Sequence, residues 1–124
     1  MNKLNKIFVA ALGLVLIASC SVKTVEIPFD ETVKDYTPVV TKILSDNPKG
    51  NVRILFGKGV YPFYPERGSR EFLTLSNNDS GDKCIAFLIK DMRNVTIEGD
   101  GSDFMFHGCM VPFAVKGSSN VTIK

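Results

Sequence analysis

A four-residue word that returns 26 residues later is the strongest constraint this chain places on its own fold. Asn94-Val95-Thr96-Ile97 recurs as Asn120-Val121-Thr122-Ile123, and between the copies lie two further apolar segments, Phe104-Met105-Phe106 and Val111-Pro112-Phe113-Ala114-Val115. Each period therefore holds three short strands. Period-2 alternation sends Val95 and Ile97, or Val121 and Ile123, to one face and the intervening threonine to the other. Gly99-Asp100-Gly101-Ser102 and Gly117-Ser118-Ser119-Asn120 separate the strands with residues that tolerate positive-φ corners. A unit this small cannot bury its apolar face alone, so it stacks on a neighbour, which sets Val95 beside Val121 and Ile97 beside Ile123. The pattern points to an all-β chain coiled as a parallel β-helix. Because Asn-Val-Thr-Ile is ordinary strand vocabulary, a small β-sandwich accounts for the same alternation.

The start of the chain reads as an address. Lys3 and Lys6 precede an apolar run, Ile7 to Ala18, that is too short to span a bilayer comfortably, which is the layout of a secretory signal. Leu16-Ile17-Ala18-Ser19-Cys20 then resembles the bacterial lipobox, which implies cleavage before Cys20 and acylation of its thiol. Several acyl chains on one residue hold a protein firmly to a membrane, since each buried methylene contributes about 0.8 kcal/mol. The expected location is the cell envelope, at the outer membrane, with the face left open by Ser21 and the lack of an acidic run. The chain has 15 basic and 13 acidic residues, and two of the basic ones lie in residues 1–19. The remainder is neutral, so nothing favours nucleic acid or an anionic surface as a partner. Residues 1–19 thus read as a lipoprotein signal peptide, 20–32 as a tether, and 33–124 as one domain.

In that domain a helix comes first. Thr37 is placed to cap it, Pro38 suits its first position, and Val39, Val40, Ile43 and Leu44 form one apolar face, with Asp46-Asn47-Pro48-Lys49-Gly50 as the stop. So short a helix needs something to lie on, and the open end of a β-helix needs a cover. Strands follow at Val52–Phe56 and Val60–Phe63 around Gly57-Lys58-Gly59. Residues 64–70 form a polar excursion, Phe72–Leu75 a strand, residues 76–82 a polar loop, and Cys84–Ile89 a buried strand. Cys84 and Cys109 read as small buried hydrophobes, while export would also permit a disulfide between them.

This order, a capping helix, a glycine-rich turn and Gly59-Val60-Tyr61, resembles the opening of pectate-lyase-like right-handed β-helices. A narrower resemblance rests on Phe63-Tyr64-Pro65-Glu66, Ser76-Asn77-Asn78-Asp79, Ile85-Ala86-Phe87, Asn94 to Ser102, Phe106-His107-Gly108 and Met110-Val111-Pro112-Phe113. Together these look like the N-terminal part of glycoside hydrolase family 110, over about Val33 to Lys124. The resemblance implies an α-1,3-galactosidase that removes terminal galactose from glycans with inversion, without a cofactor. It also implies that the catalytic carboxylates lie in later coils, since members of that family run for several hundred residues. The present chain is expected to hold the cap and first coils only, and to be inactive alone.

The residues themselves agree with that expectation. Inverting glycosidases need an acid and a base about 6.5–9.5 Å apart, and the candidates are Asp79, Asp82, Asp91, Glu98, Asp100 and Asp103. Asp79 and Asp82 lie in a turn-forming loop, and Asp100 and Asp103 flank glycine corners, where carboxylates commonly accept backbone N–H groups; none of the six stands out from a structural role, so the catalytic residues stay unknown. His107, the one histidine, reads as structural, although a corner position lets it face a sugar. No His/Cys/Asp spacing suggests a metal, and no glycine-rich loop leads into a helix as a phosphate site requires. The alternative function is a non-catalytic surface lipoprotein whose β-helix binds carbohydrate or serves as a stalk.

Overall fold

A computed structural model describes residues 21–124. Its elements are β1 (Lys23–Ile27), α1 (Thr37–Asp46), β2 (Gly50–Phe56), β3 (Val60–Phe63), a 3-10 turn (Pro65–Arg67), β4 (Ser69–Leu75), β5 (Asn78–Lys90), β6 (Arg93–Glu98), β7 (Asp103–Phe106), β8 (Val111–Lys116) and β9 (Ser119–Ile123). The described chain is all-β apart from one short helix. Its strands form three sheets, ordered β1-β2-β6-β9, β3-β7 and β4-β5-β8. After β2 the chain visits the second sheet, then the third, and returns to the first as β6; a further circuit through β7 and β8 returns as β9. All pairs between successive circuits are parallel.

The register expected from the repeated word is the observed one: Val95 pairs with Val121 and Ile97 with Ile123. It extends one circuit back, to Val52 and Ile54 on β2, and Ile54 also pairs with Val25 on β1. Val52, Ile54, Val95 and Ile97 have no exposed surface. Identical β-branched residues on neighbouring strands present matching shapes, so each rung buries the one before it. On the adjoining faces the same logic uses aromatic rings. Phe63 stacks on Phe106 (centroids 5.0 Å apart) and Phe87 on Phe113 (4.6 Å), while Phe56, Tyr61 and Phe104 meet near edge-to-face.

The corner before the first sheet is built from asparagine. Asn51, Asn94 and Asn120 adopt φ of 53°, 55° and 54°, a left-handed conformation that asparagine accepts more readily than most side chains. Their amides form a ladder: Asn94 Nδ2 donates to Asn51 Oδ1 at 2.9 Å, and Asn120 Nδ2 to Asn94 Oδ1 at 2.6 Å. The ladder repeats the corner at every circuit and so holds the first sheet in register.

Two local expectations change. Thr37 opens the helix but does not cap it; Tyr36 occupies the cap position without a side-chain bond, and Asp35 Oδ1 accepts the Thr37 N–H instead. The freed Thr37 hydroxyl accepts the backbone N–H of Tyr64 at 3.0 Å. Residues 76–82 are not an open loop, because β4 and β5 form an antiparallel hairpin with Leu75 opposite Asn78 and Phe72 opposite Asp82. The first residues of β5, Asn78-Asp79-Ser80-Gly81-Asp82, carry no apolar period, which hides the pairing. Within the stretch read as a tether, Lys23–Ile27 form an edge strand beside β2, and Ile27 is buried. The helix lies on the core as expected, through buried Val40 and Leu44 with Val39 and Ile43 beside them.

Candidate functional site

The candidate carboxylates do not converge. Asp79 sits on the exposed hairpin, and Asp82 beside it pairs with Arg70 at 2.7 Å. Asp91 (φ 53°) and Asp100 (φ 51°) occupy exposed left-handed corners, and exposed Asp103 is anchored by its backbone N–H to the Gly59 carbonyl at 3.0 Å. Glu98 and Asp100 share a hollow of about 550 Å³ with Arg53 and Phe56.

Glu98 is the best-held of the six. It ends β6 next to Lys124, whose ammonium lies 2.7 Å from Oε1, and Arg53 Nε donates to Oε2 at 2.8 Å. The side chain is 15% exposed. The Lys124 hydrogen bond, with Arg53 behind it, draws the carboxyl below the usual carboxylate range against the opposing effect of partial burial. A general acid at neutral pH needs a raised value. The triad therefore stabilises a permanent anion and offers no proton to a leaving group.

A second triad has the same form and was not visible as a site in the sequence. Lys90 and Lys116 stand opposite each other on β5 and β8, a like-charge pair that would repel. Glu71 lies between them, 3.2 Å from Lys90 and 2.8 Å from Lys116, and is drawn below the usual range chiefly by Lys116 and then Lys90. The spacing of the two lysines, equal to that of the repeated word, is the one signal that could have found it.

His107 follows β7 and stacks flat on Tyr64, with centroids 4.4 Å apart and planes within 5°. Its backbone N–H bonds Phe63 at 2.9 Å, so the pair continues the aromatic column by one residue. Of the cysteines, Cys84 is buried with Sγ donating to the Pro65 carbonyl at 2.8 Å, whereas Cys109 is exposed, contrary to the expectation that both are buried; both are free thiols. Cys109 follows Gly108 at a positive-φ corner, which turns the residue out of the strand. Among the described residues no group of three His, Cys, Asp or Glu side chains could hold a metal ion. Cys20, the expected lipidation site, lies outside the described residues.

No family model matches the chain. It is similar to curated proteins named α-1,3-galactosidase. It shares 40% identity over 91 residues with α-1,3-galactosidase A of Shewanella woodyi, covering 73% of this chain and 15% of that protein. It shares 38% over 100 residues with α-1,3-galactosidase A of Streptomyces avermitilis (73% and 16%), and 31% over 100 residues with α-1,3-galactosidase B of Phocaeicola vulgatus (76% and 16%). The chain thus spans about a sixth of the length of these relatives, and the similarity supports a relation to the galactosidase family.

Proposed function

We propose that this chain is the N-terminal cap and first coils of a right-handed parallel β-helix that belongs to an exported glycoside hydrolase. The complete enzyme removes terminal α-1,3-linked galactose from glycans by inverting hydrolysis. The observation that carries this is the 40% identity to α-1,3-galactosidase A across 73% of the chain. The circuit of strands supports it, since three parallel ladders with a repeated asparagine corner suit a coiled stack. The chain as given hydrolyses nothing alone. Among the described carboxylates, Glu71 and Glu98 are each paired with two cations and Asp82 with Arg70, while Asp91 and Asp100 stand at separate exposed corners. Cys20 carries the lipid that anchors the protein to the cell envelope, at the outer membrane, after removal of residues 1–19.

The test supplies an α-1,3-galactosyl disaccharide to the full chain and to a several-hundred-residue relative that contains this segment. The relative releases galactose and the chain releases none. Turnover by the chain, abolished by Glu98→Gln or Asp82→Asn, would move the active site into the first coils. Labelling with a fatty acid, lost in Cys20→Ala together with membrane retention, checks the anchor.

A further inference from the structure

Beyond the carboxylates, one aromatic ring is held in a manner that core packing does not require. Phe63 ends β3 pointing inward, and the next residue, Tyr64, keeps 36% of its surface exposed. Its backbone N–H is shared between Thr37 Oγ1 at 3.0 Å and Asp35 Oδ1 at 3.3 Å. One face of the ring is fixed by the flat stack on His107. Tyr64 also lines an open hollow of about 630 Å³ with Thr32, Lys34, Asp35, Glu66 and Arg67. Glu66 and Arg67 take part in none of the ion pairs among the described residues.

From this we infer that Tyr64 is the platform of a binding site for a neutral hexopyranose, apart from any catalytic centre. The chemistry of the rim selects the class. Two carboxylates, Asp35 and Glu66, balance two cations, Lys34 and Arg67, so the rim has no net charge to favour an anion or an amine, whereas ring hydroxyls use its donors and acceptors alike. A pyranose whose C–H groups cluster on one face lays that face on an aromatic ring and turns its hydroxyls to the rim. A hollow of this volume holds one or two sugar rings. Because the Tyr64 ring is already stacked on His107, little side-chain entropy is lost on binding.

Saturation-transfer NMR on the full chain tests the site, with methyl α-galactopyranoside, methyl α-glucopyranoside and an α-1,3-galactobiose as probes. The choice of galactosides rests on the function proposed above; the ligand class does not. Transfer is expected to be strongest at the ring protons of the C3–C5 face. Tyr64→Ala should weaken binding about tenfold, the loss of one good aromatic contact, while Tyr64→Phe leaves it within about twofold. Arg67→Ala, on the 3-10 turn and outside the ring stack, should weaken it about threefold or more, which keeps the test decisive if Tyr64→Ala fails to fold. No transfer to any probe in the folded chain, or transfer unchanged by both alanine variants, would overturn the site. Hydrolysis is not read in this experiment, so a missing galactosidase activity and a missing sugar site are separate results.

Discussion

Asn120 donates its side-chain amide to Asn94 one circuit earlier, at 2.6 Å, while both residues hold φ near +55°. Asn94 is the middle rung, since it also donates to Asn51 at 2.9 Å. Replacing Asn94 by alanine removes both links and places a Cβ residue without a polar side chain in the left-handed region. The two effects should together cost about 2–4 kcal/mol, from one to two hydrogen bonds and the strain of the corner. Asn94→Gly keeps the backbone at ease and should lose only the hydrogen bonds. Urea midpoints of the two variants measure the difference, and equal midpoints would mean that the corner carries no strain.

The ladder of Ile54, Ile97 and Ile123 makes a sharper contrast between neighbours. Ile97 is fully buried, and Thr96, half-buried, faces the other way beside Arg53 and Thr122. Ile97→Asp puts a carboxylate among aliphatic side chains without a partner, at a cost of several kcal/mol, a large share of a small domain's stability. Thr96→Asp places the same charge near Arg53 and should cost less than about 1 kcal/mol. Soluble yield and thermal midpoint separate the two, and equal losses would show that the faces are wrongly assigned.

Stability should fall in acid because of Glu71 and Glu98. Both carboxyls are held below their unfolded value of 4.5 by paired cations. A depressed folded-state value means that the stabilisation is complete above pH 4.5 and is lost as pH falls through the lower, folded value. Thermal midpoints between pH 7 and pH 3 should drop more steeply for the native chain than for a Glu71→Gln, Glu98→Gln double variant. Parallel curves would show that neither triad contributes. Raising the salt concentration at neutral pH should also narrow the gap between the two proteins, since all the partners are partly exposed.

The sequence disclosed what is periodic and concealed what is irregular. Val95/Val121 and Ile97/Ile123 were legible as a register because two copies of one word in parallel strands can be stacked on paper. The asparagine ladder was half legible: Asn94 and Asn120 were in view, and Asn51-Val52-Arg53-Ile54 was the unrecognised third copy, with arginine where the others have threonine. The β4–β5 hairpin was hidden because its second strand opens with the polar, exposed Asn78-Asp79-Ser80, which carries no apolar residue to mark it as a strand. Glu71 was hidden for a different reason, since its two lysines are close only after β5 and β8 pair. Of the carboxylates, Asp100 sits at positive φ beside the glycine corner read for it, as does Asp91 at another corner, whereas Asp79 and Asp82, read as loop residues, lie on β5. Tyr64 was legible as the first residue of a polar excursion, in keeping with its exposure, but its stack on His107 was not, because the two residues meet only after β3 and β7 pair.

Cys84 and Cys109 make the last contrast, between two thiols only one of which can be reached. Cys84 is 6% exposed, and its Sγ donates to the Pro65 carbonyl, so alkylation requires the 3-10 turn to lift away from β5. A Cβ on Gly68 would lie 2.4 Å from that sulfur, so the turn closes on it with no spare room. Cys109 stands on an open corner and reacts through whatever fraction is thiolate. An aryl disulfide reagent at pH 8 should therefore modify Cys109 within minutes and Cys84 only under denaturing conditions. A Cys109→Ser variant isolates the second reaction, whose rate should rise steeply through the urea unfolding transition. Gly68→Ala should raise that rate in the absence of urea, because it wedges the turn from the strand. Fast labelling of Cys84 in the native chain would show that the turn opens freely, and the Tyr64 ring that precedes it would then lose its fixed position.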